Sequence, residues 1–181
     1  MAKVLVPLAD GCEELEAVTI IDLLRRAGVD VTTAGLKPGI VKASRGVQLV
    51  PDVTLDVALQ DRYDMVVLPG GLPGATHLKD DPRIIGLVRQ MAAAGHYTAA
   101  ICAAPMVLAE AGVLAGKRAT SYPGFLDGLP GVTVSADAVV QDGGVFTSRG
   151  PGTAMDFALA LVEALAGRAK RDEVEAGLVR P

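Results

Sequence analysis

Four short apolar runs constrain this chain most: Lys3 to Leu8, Val29 to Ala34, Tyr63 to Leu68 and Thr98 to Ile101. Each is near-continuous in apolar residues rather than alternating. A strand with one wet face alternates apolar and polar side chains, whereas a strand covered on both faces has no reason to. The runs therefore predict parallel strands sealed between two helical layers. Helical patterns lie between them. Glu14 to Ala27 predicts a helix with Leu15, Val18, Ile21 and Leu24 on its buried stripe, and Pro82 to Ala94 opens after Asp81 and closes at Gly95. Such alternation argues for a doubly wound α/β layer structure with right-handed crossovers, whose ligands gather at the carboxyl ends of the strands.

Two segments break the rhythm. Ile40 to Pro51 reads as a hairpin turning at Arg45-Gly46, and Val132 to Val134 with Ala138 to Ser148 reads as a second β-insertion turning at Asp142-Gly143-Gly144. Both are expected at sheet edges. A final long helix should start at Thr153, with Asp156 completing a capping-box-like arrangement, and stop at Gly167; Asp172 to Leu178 forms a last amphipathic piece. No repeat or linker interrupts the 181 residues, so one domain over residues 1–181 is expected.

Seventeen Lys and Arg against 21 Asp and Glu leave a net charge of −4, with 3% aromatic residues. That balance argues against a nucleic-acid partner, which calls for a basic surface or stacking platforms. No run approaches the roughly 18 consecutive apolar residues of a membrane span, and the apolar stretch in MAKVLVPLADG is too short for a signal peptide. With two cysteines far apart in sequence, free thiols in a cytoplasmic protein are the expectation.

The stretch TAAICAAPMVLAEAG places Cys102 between a buried strand and a run of helix formers that begins at Pro105. A thiol there faces the free N–H groups of a helix start, which can bring a cysteine pKa from about 8.5 down to roughly 3.5–7.5. The bland alternative is a small buried filler among alanines. Glu13, Glu14 and Glu16 crowd the start of the first helix, where acids complement the dipole without further purpose. Glu16, beside Leu15 at the start of the apolar stripe, has a second possibility: its carboxylate can turn toward the strand ends, be raised by burial and donate a proton to a sulfur. The Gly-Pro-rich loop LPGGLPGATHL, residues 68 to 78, lets backbone N–H groups approach a ligand, so Gly71 and the Ala103 amide form a candidate donor pair for an oxyanion. It has neither P-loop nor dinucleotide spacing. No cofactor is expected.

EELEAV, VVLPGG, AAICAAP and SRGPGTAMDFALALVEAL together resemble the DJ-1/PfpI superfamily, most closely the DJ-1 branch that includes bacterial YajL-like proteins. The resemblance implies a flavodoxin-like three-layer sandwich, a homodimer, and a nucleophile-elbow cysteine hydrogen-bonded to a protonated glutamate. Carried over, the cysteine is Cys102, the glutamate Glu16, and the pocket amides those of Gly71 and Ala103, beside Gly70. Arg45, Arg149 and Arg26 match arginines near the family's pocket and dimer interface, against a plain reading as surface charges. Some relatives have a histidine about twenty residues after the cysteine; here TSYPGF offers Tyr122. His77 and His96 read as solvated loop residues. A histidine directly after the nucleophile, the PfpI peptidase pattern, is also absent, which disfavours peptidase activity. Cys12 is either a resolving thiol for an oxidised Cys102 or an unpaired loop thiol.

The resemblance implies cofactor-free chemistry on small aldehydes or dicarbonyls, of the glyoxalase III or deglycase type, through a Cys102 hemithioacetal. Its alternative is an oxidative-stress sensor and chaperone for unfolded clients that uses Cys102 oxidation. A thiazole monophosphate biosynthesis label attached to some relatives finds no phosphate cradle among these residues.

Overall fold

The computed structural model describes residues 1–180. The chain runs β1 (Lys3–Leu8), α1 (Glu14–Arg26), β2 (Asp30–Gly35), β3 (Val41–Lys42), β4 (Gln48–Leu49), β5 (Val53–Thr54) and α2 (Leu55–Ala58). It continues through β6 (Met65–Leu68), α3 (Gly74–Asp80), α4 (Pro82–Ala93), β7 (Tyr97–Ile101), α5 (Pro105–Glu110), β8 (Lys117–Ala119) and β9 (Val132–Val134). β10 (Val139–Asp142), β11 (Val145–Ser148), α6 (Ala154–Ala166) and α7 (Arg168–Gly177) complete it.

Seven strands form the central sheet in the order β10-β11-β7-β6-β1-β2-β5. Every neighbouring pair is parallel except β10 with β11. Both faces are covered, as the continuous apolar runs require. Val4, Val6, Met65, Val67 and Ala99 pack toward α1 and α6, whereas the intervening Leu5, Val66, Leu68 and Ala100 pack with side chains of α3, α4 and α5. This is a flavodoxin-like three-layer sandwich. The chain leaves β1 toward β2 and returns to β6 on the other side of β1, so the switch point lies between β1 and β6, where ligands bind in such sheets.

Five expectations change. The buried stripe of α1 is Glu16, Ala17, Ile20, Leu23 and Leu24; Leu15 and Val18 face outward, about half exposed. β11 is no edge insertion, because it pairs in parallel with β7 inside the sheet and leaves only β10 at the edge. Half of the Gly-Pro-rich loop is helical, forming α3. The long helix α6 follows a short 3₁₀ turn over Pro151–Thr153, and Thr153 Oγ1 exchanges hydrogen bonds with the backbone of Gly150 (3.0 and 3.1 Å) instead of pairing with Asp156. The hairpin β3–β4 turns at Arg45-Gly46 as expected, but as a separate two-stranded sheet.

Candidate functional site

Three crossovers deliver residues to one spot at the carboxyl edge. Glu16 comes from the first turn of α1, Gly70 and Gly71 from the loop after β6, and Cys102 and Ala103 from the turn after β7. Cys102 has φ of 65°, in the left-handed region that disfavours an L-residue by roughly 1–2 kcal/mol. Its neighbours hold it there: the Cys102 N–H donates to Ser148 O (3.0 Å) and its carbonyl accepts from the Tyr122 N–H (2.8 Å). The twist breaks the alternation of β7, so Ile101 and Cys102 both belong to the core on the α1 side. That is where Glu16 sits.

Glu16 is fully buried, and its Oε2 accepts a hydrogen bond from the Gly70 N–H at 2.8 Å. Its Oε1 has no hydrogen-bond partner, and the Cys102 thiol is the other polar group beside this carboxyl, near enough to act on it. Only glycine fits at position 70, since a Cβ would come within 2.6 Å of Cys102 Cβ and 2.8 Å of Glu16 Oε2. Burial pushes Glu16 up to about 7 against the opposing pull of its bonds to Cys102 and Gly70. Burial likewise pushes Cys102 up to about 12, helped by the charge and hydrogen bonding of Glu16, while the Gly71 and Ala103 amides pull it down.

The expected depression of the thiol by the helix start is thus overturned. α5 has only six residues and an alanine at its N-cap, and its contribution loses to burial and to the neighbouring acid. The fold instead puts two acids in contact where both cannot readily ionise. Their protons leave in two steps that belong to the pair, the first near 7 and the second far above.

Above the sulfur opens a cavity of about 350 Å³. Glu13, Ser44, Arg45 and Gly71 form one side, and Leu72, Tyr122, Phe125 and Pro151 the apolar remainder. A larger cavity of about 560 Å³ lies beyond the ends of β1 and β2, but it holds no cysteine, and its Arg83–Asp81 and Lys37–Asp10 charges are paired at 2.6 Å. The chemistry therefore points to the smaller one.

Arg45 stands at the rim, with its backbone N–H donating to both oxygens of Glu14 (2.9 and 3.1 Å). Arg149 does not line the cavity, because its guanidinium donates to Ala136 O at 3.0 Å. Arg26 pairs with Asp22 at 2.7 Å on the exposed side of α1. Gly70 holds Glu16 rather than lining the cavity. Tyr122 is half exposed in the wall, edge-to-face with Phe125 at 6.3 Å. His77 sits on α3, not in a loop, with Nδ1 bonded to Asp10 O at 2.9 Å; His96 is exposed ahead of β7. Cys12 is fully buried, and burial, with the charge of Glu14 next, pushes it up to about 12. Cys12 thus stands in the loop between β1 and α1 as an unpaired thiol, but a buried one. Phe125, Leu72, Pro151 and Ser44 escaped the sequence reading; Phe125 and Pro151 lie within TSYPGF and SRGPG, whose prolines and glycines mark wall-forming turns.

Comparison with known proteins follows the same geometry. The DJ-1/PfpI family model matches residues 2–164. Protein dj-1beta of Drosophila melanogaster is 48% identical over 178 residues, covering 97% of this chain and 95% of that protein. Its crystal structure superposes with a TM-score of 0.95 at 47% identity, over 99% of this chain and 98% of that one. A structure titled Toxoplasma gondii DJ-1, oxidized, gives a TM-score of 0.95 at 39% identity, over 99% and 98% of the two chains. The Caenorhabditis elegans protein named glutathione-independent glyoxalase DJR-1.2 is 37% identical over 175 residues, covering 96% of this chain and 92% of that protein. By sequence and by fold, the chain belongs to the DJ-1/PfpI family.

Proposed function

We propose that this chain is a cofactor-independent, cysteine-dependent enzyme of small dicarbonyls, of the glyoxalase III or deglycase type. The observation that carries the reading is the contact between Cys102 and a fully buried Glu16 beneath an open cavity. An ionised Glu16 would be a buried charge with one amide donor, which is costly. A protonated Glu16 can instead offer its proton to the sulfur, so the reactive form is the Cys102 thiolate beside the Glu16 acid.

The thiolate adds to the aldehyde carbon of methylglyoxal or glyoxal, forming a C–S bond while the carbonyl electron pair moves onto oxygen. In this reading the Gly71 and Ala103 amides, which bond the resting sulfur, pass to that oxygen as it gains charge, and Glu16 supplies its proton. Transfer of the aldehyde hydrogen to the neighbouring carbon turns the hemithioacetal into a thioester of a 2-hydroxy acid. Water then cleaves the C–S bond. The sum is one dicarbonyl plus one water giving one hydroxy acid, with no oxidant. A relative bearing the name glutathione-independent glyoxalase supports the assignment. Lactate formation from methylglyoxal tests it: Cys102→Ala should fall to the uncatalysed background, and undiminished lactate in that variant contradicts the reading.

The same amides and carboxyl suit a Cys102 sulfinate, formed from the thiolate by two equivalents of peroxide, and the Toxoplasma relative was solved oxidized. This second reading, a redox sensor and chaperone, predicts a peroxide-dependent gain in suppressing aggregation with no dicarbonyl turnover. In either case the partner we propose is a second copy, seated on the exposed Leu15 and Val18 of α1 and Met155 of the adjoining α6. Among the described residues no helix is long and apolar enough to cross a membrane.

A further inference from the structure

We propose that Glu13 is the second proton carrier of this site, the base that takes the hydrogen from the hemithioacetal carbon and returns it to the neighbouring carbon. The inference rests on the dicarbonyl reading above and deepens it. That reaction has two proton tasks at different atoms. One is at the oxyanion and sulfur, where Glu16 sits buried with one oxygen tied to Gly70. The other is at a C–H bond that must project into the cavity, away from the sulfur's buried side.

Side chains able to work there are few. Of the residues lining the cavity, Glu13, Ser44, Arg45, Cys102 and Tyr122 carry proton-active groups. A guanidinium has no acceptor to offer, and a phenol or an aliphatic alcohol is a donor first and a weak base. Glu13 is the one carboxylate among them. It is half-buried and held from three directions: its N–H donates to Gly70 O (2.9 Å), its Oε2 accepts from Ser44 Oγ (3.0 Å), and its Oε1 accepts from the Leu15 N–H (3.4 Å). Gly70 thus fixes both acids, holding Glu16 by its N–H and Glu13 by its carbonyl. The charge of Glu13 also reaches the Glu16 carboxyl and helps raise it.

The step balances. As Glu13 takes the proton, the C–H electron pair becomes the C=C bond of an enediol and the ketone pair moves onto its oxygen. The hydroxyl proton on the sulfur-bearing carbon then passes to that oxygen, its O–H pair becomes the thioester carbonyl, and the C=C pair takes the proton back from Glu13 at the second carbon. Glu13 ends as the carboxylate it began as.

Glu13→Gln tests this, because the amide oxygen keeps the acceptor that caps α1. Hemithioacetal formation is read as protection of Cys102 from iodoacetamide by methylglyoxal, and turnover as lactate. Protection should persist in Glu13→Gln while kcat falls about 100-fold or more. Glu13→Asp should restore part of the rate and show a primary isotope effect with methylglyoxal deuterated at the aldehyde carbon. Wild-type kcat in Glu13→Gln, or loss of protection and turnover together, overturns the role. A wild-type protein that makes no lactate overturns the dicarbonyl reading itself and this inference with it; an active wild type with an equally active Glu13→Gln overturns this inference alone.

Discussion

At Glu16 a carboxyl group lies out of water with one amide donor and the Cys102 sulfur, so burial raises it from 4.5 to about 7. A raised folded-state pKa means that the stabilising contribution is complete below 4.5 and is lost as pH climbs through about 7, because the Glu16–Cys102 pair must then hold one poorly solvated charge between them. The loss is about 3 kcal/mol, as an order of magnitude. Glu16→Gln cannot ionise and should lack this component. Urea unfolding of both proteins on either side of this window measures it, and equal pH dependence in the two contradicts it. Position 16 was legible in the sequence only as one of three acids at a helix start, since side-chain direction depends on the rotation of α1. Three neighbouring acids prove to do three things: Glu13 caps the helix and faces the cavity, Glu14 holds the hairpin, and Glu16 meets the sulfur. A helix start is visible in a sequence and burial is not, so the sequence points to a lowered thiol pKa where burial raises it.

The hairpin β3–β4 shows how one side chain positions an element. Arg45 and Val47 donate their N–H groups to the Glu14 carboxylate (2.9–3.4 Å), and Ser44 Oγ shares its one proton between Glu14 and Glu13, 3.0 Å from each. Burial opposes its charge, yet these bonds hold it below the ordinary carboxylate range. Glu14→Ala should destabilise the fold by roughly 1–3 kcal/mol, the usual worth of part-buried hydrogen bonds to a charged group. Faster hydrogen exchange at the Arg45 and Val47 amides would locate the change, and unchanged exchange there contradicts the clasp. Among the elements, the strands were legible because burial on both faces leaves a continuous apolar run. The stripe of α1 was not, because its outward Leu15 and Val18 look as apolar as its inward Ile20 and Leu23. β11 was missed as a sheet strand because a tight turn at Gly143-Gly144 marks a hairpin but not the strand that joins its far side.

For the whole molecule, those outward residues are the best indication of assembly. Leu15 at 51% and Val18 at 47% exposure on α1, with Met155 at 45% on α6, give two packed helices an apolar outer side. Replacing both Leu15 and Val18 by Asp should halve the mass seen by sedimentation, whereas a wild type that sediments as a monomer contradicts the dimer. The doubly wound topology matters for function because it brings β1, β6 and β7 to one edge, and each contributes a piece of the Glu16–Gly70–Cys102 contact. Whether that contact shares one proton at neutral pH is the claim on which the chemistry stands. Iodoacetamide alkylation of Cys102, followed by mass spectrometry across the pH range, tests it most directly. The rate should rise through about 7, where the pair gives up its first proton, and then level off. A rate that keeps climbing about tenfold per pH unit well into the alkaline range, as for an isolated thiol of high pKa, would contradict it.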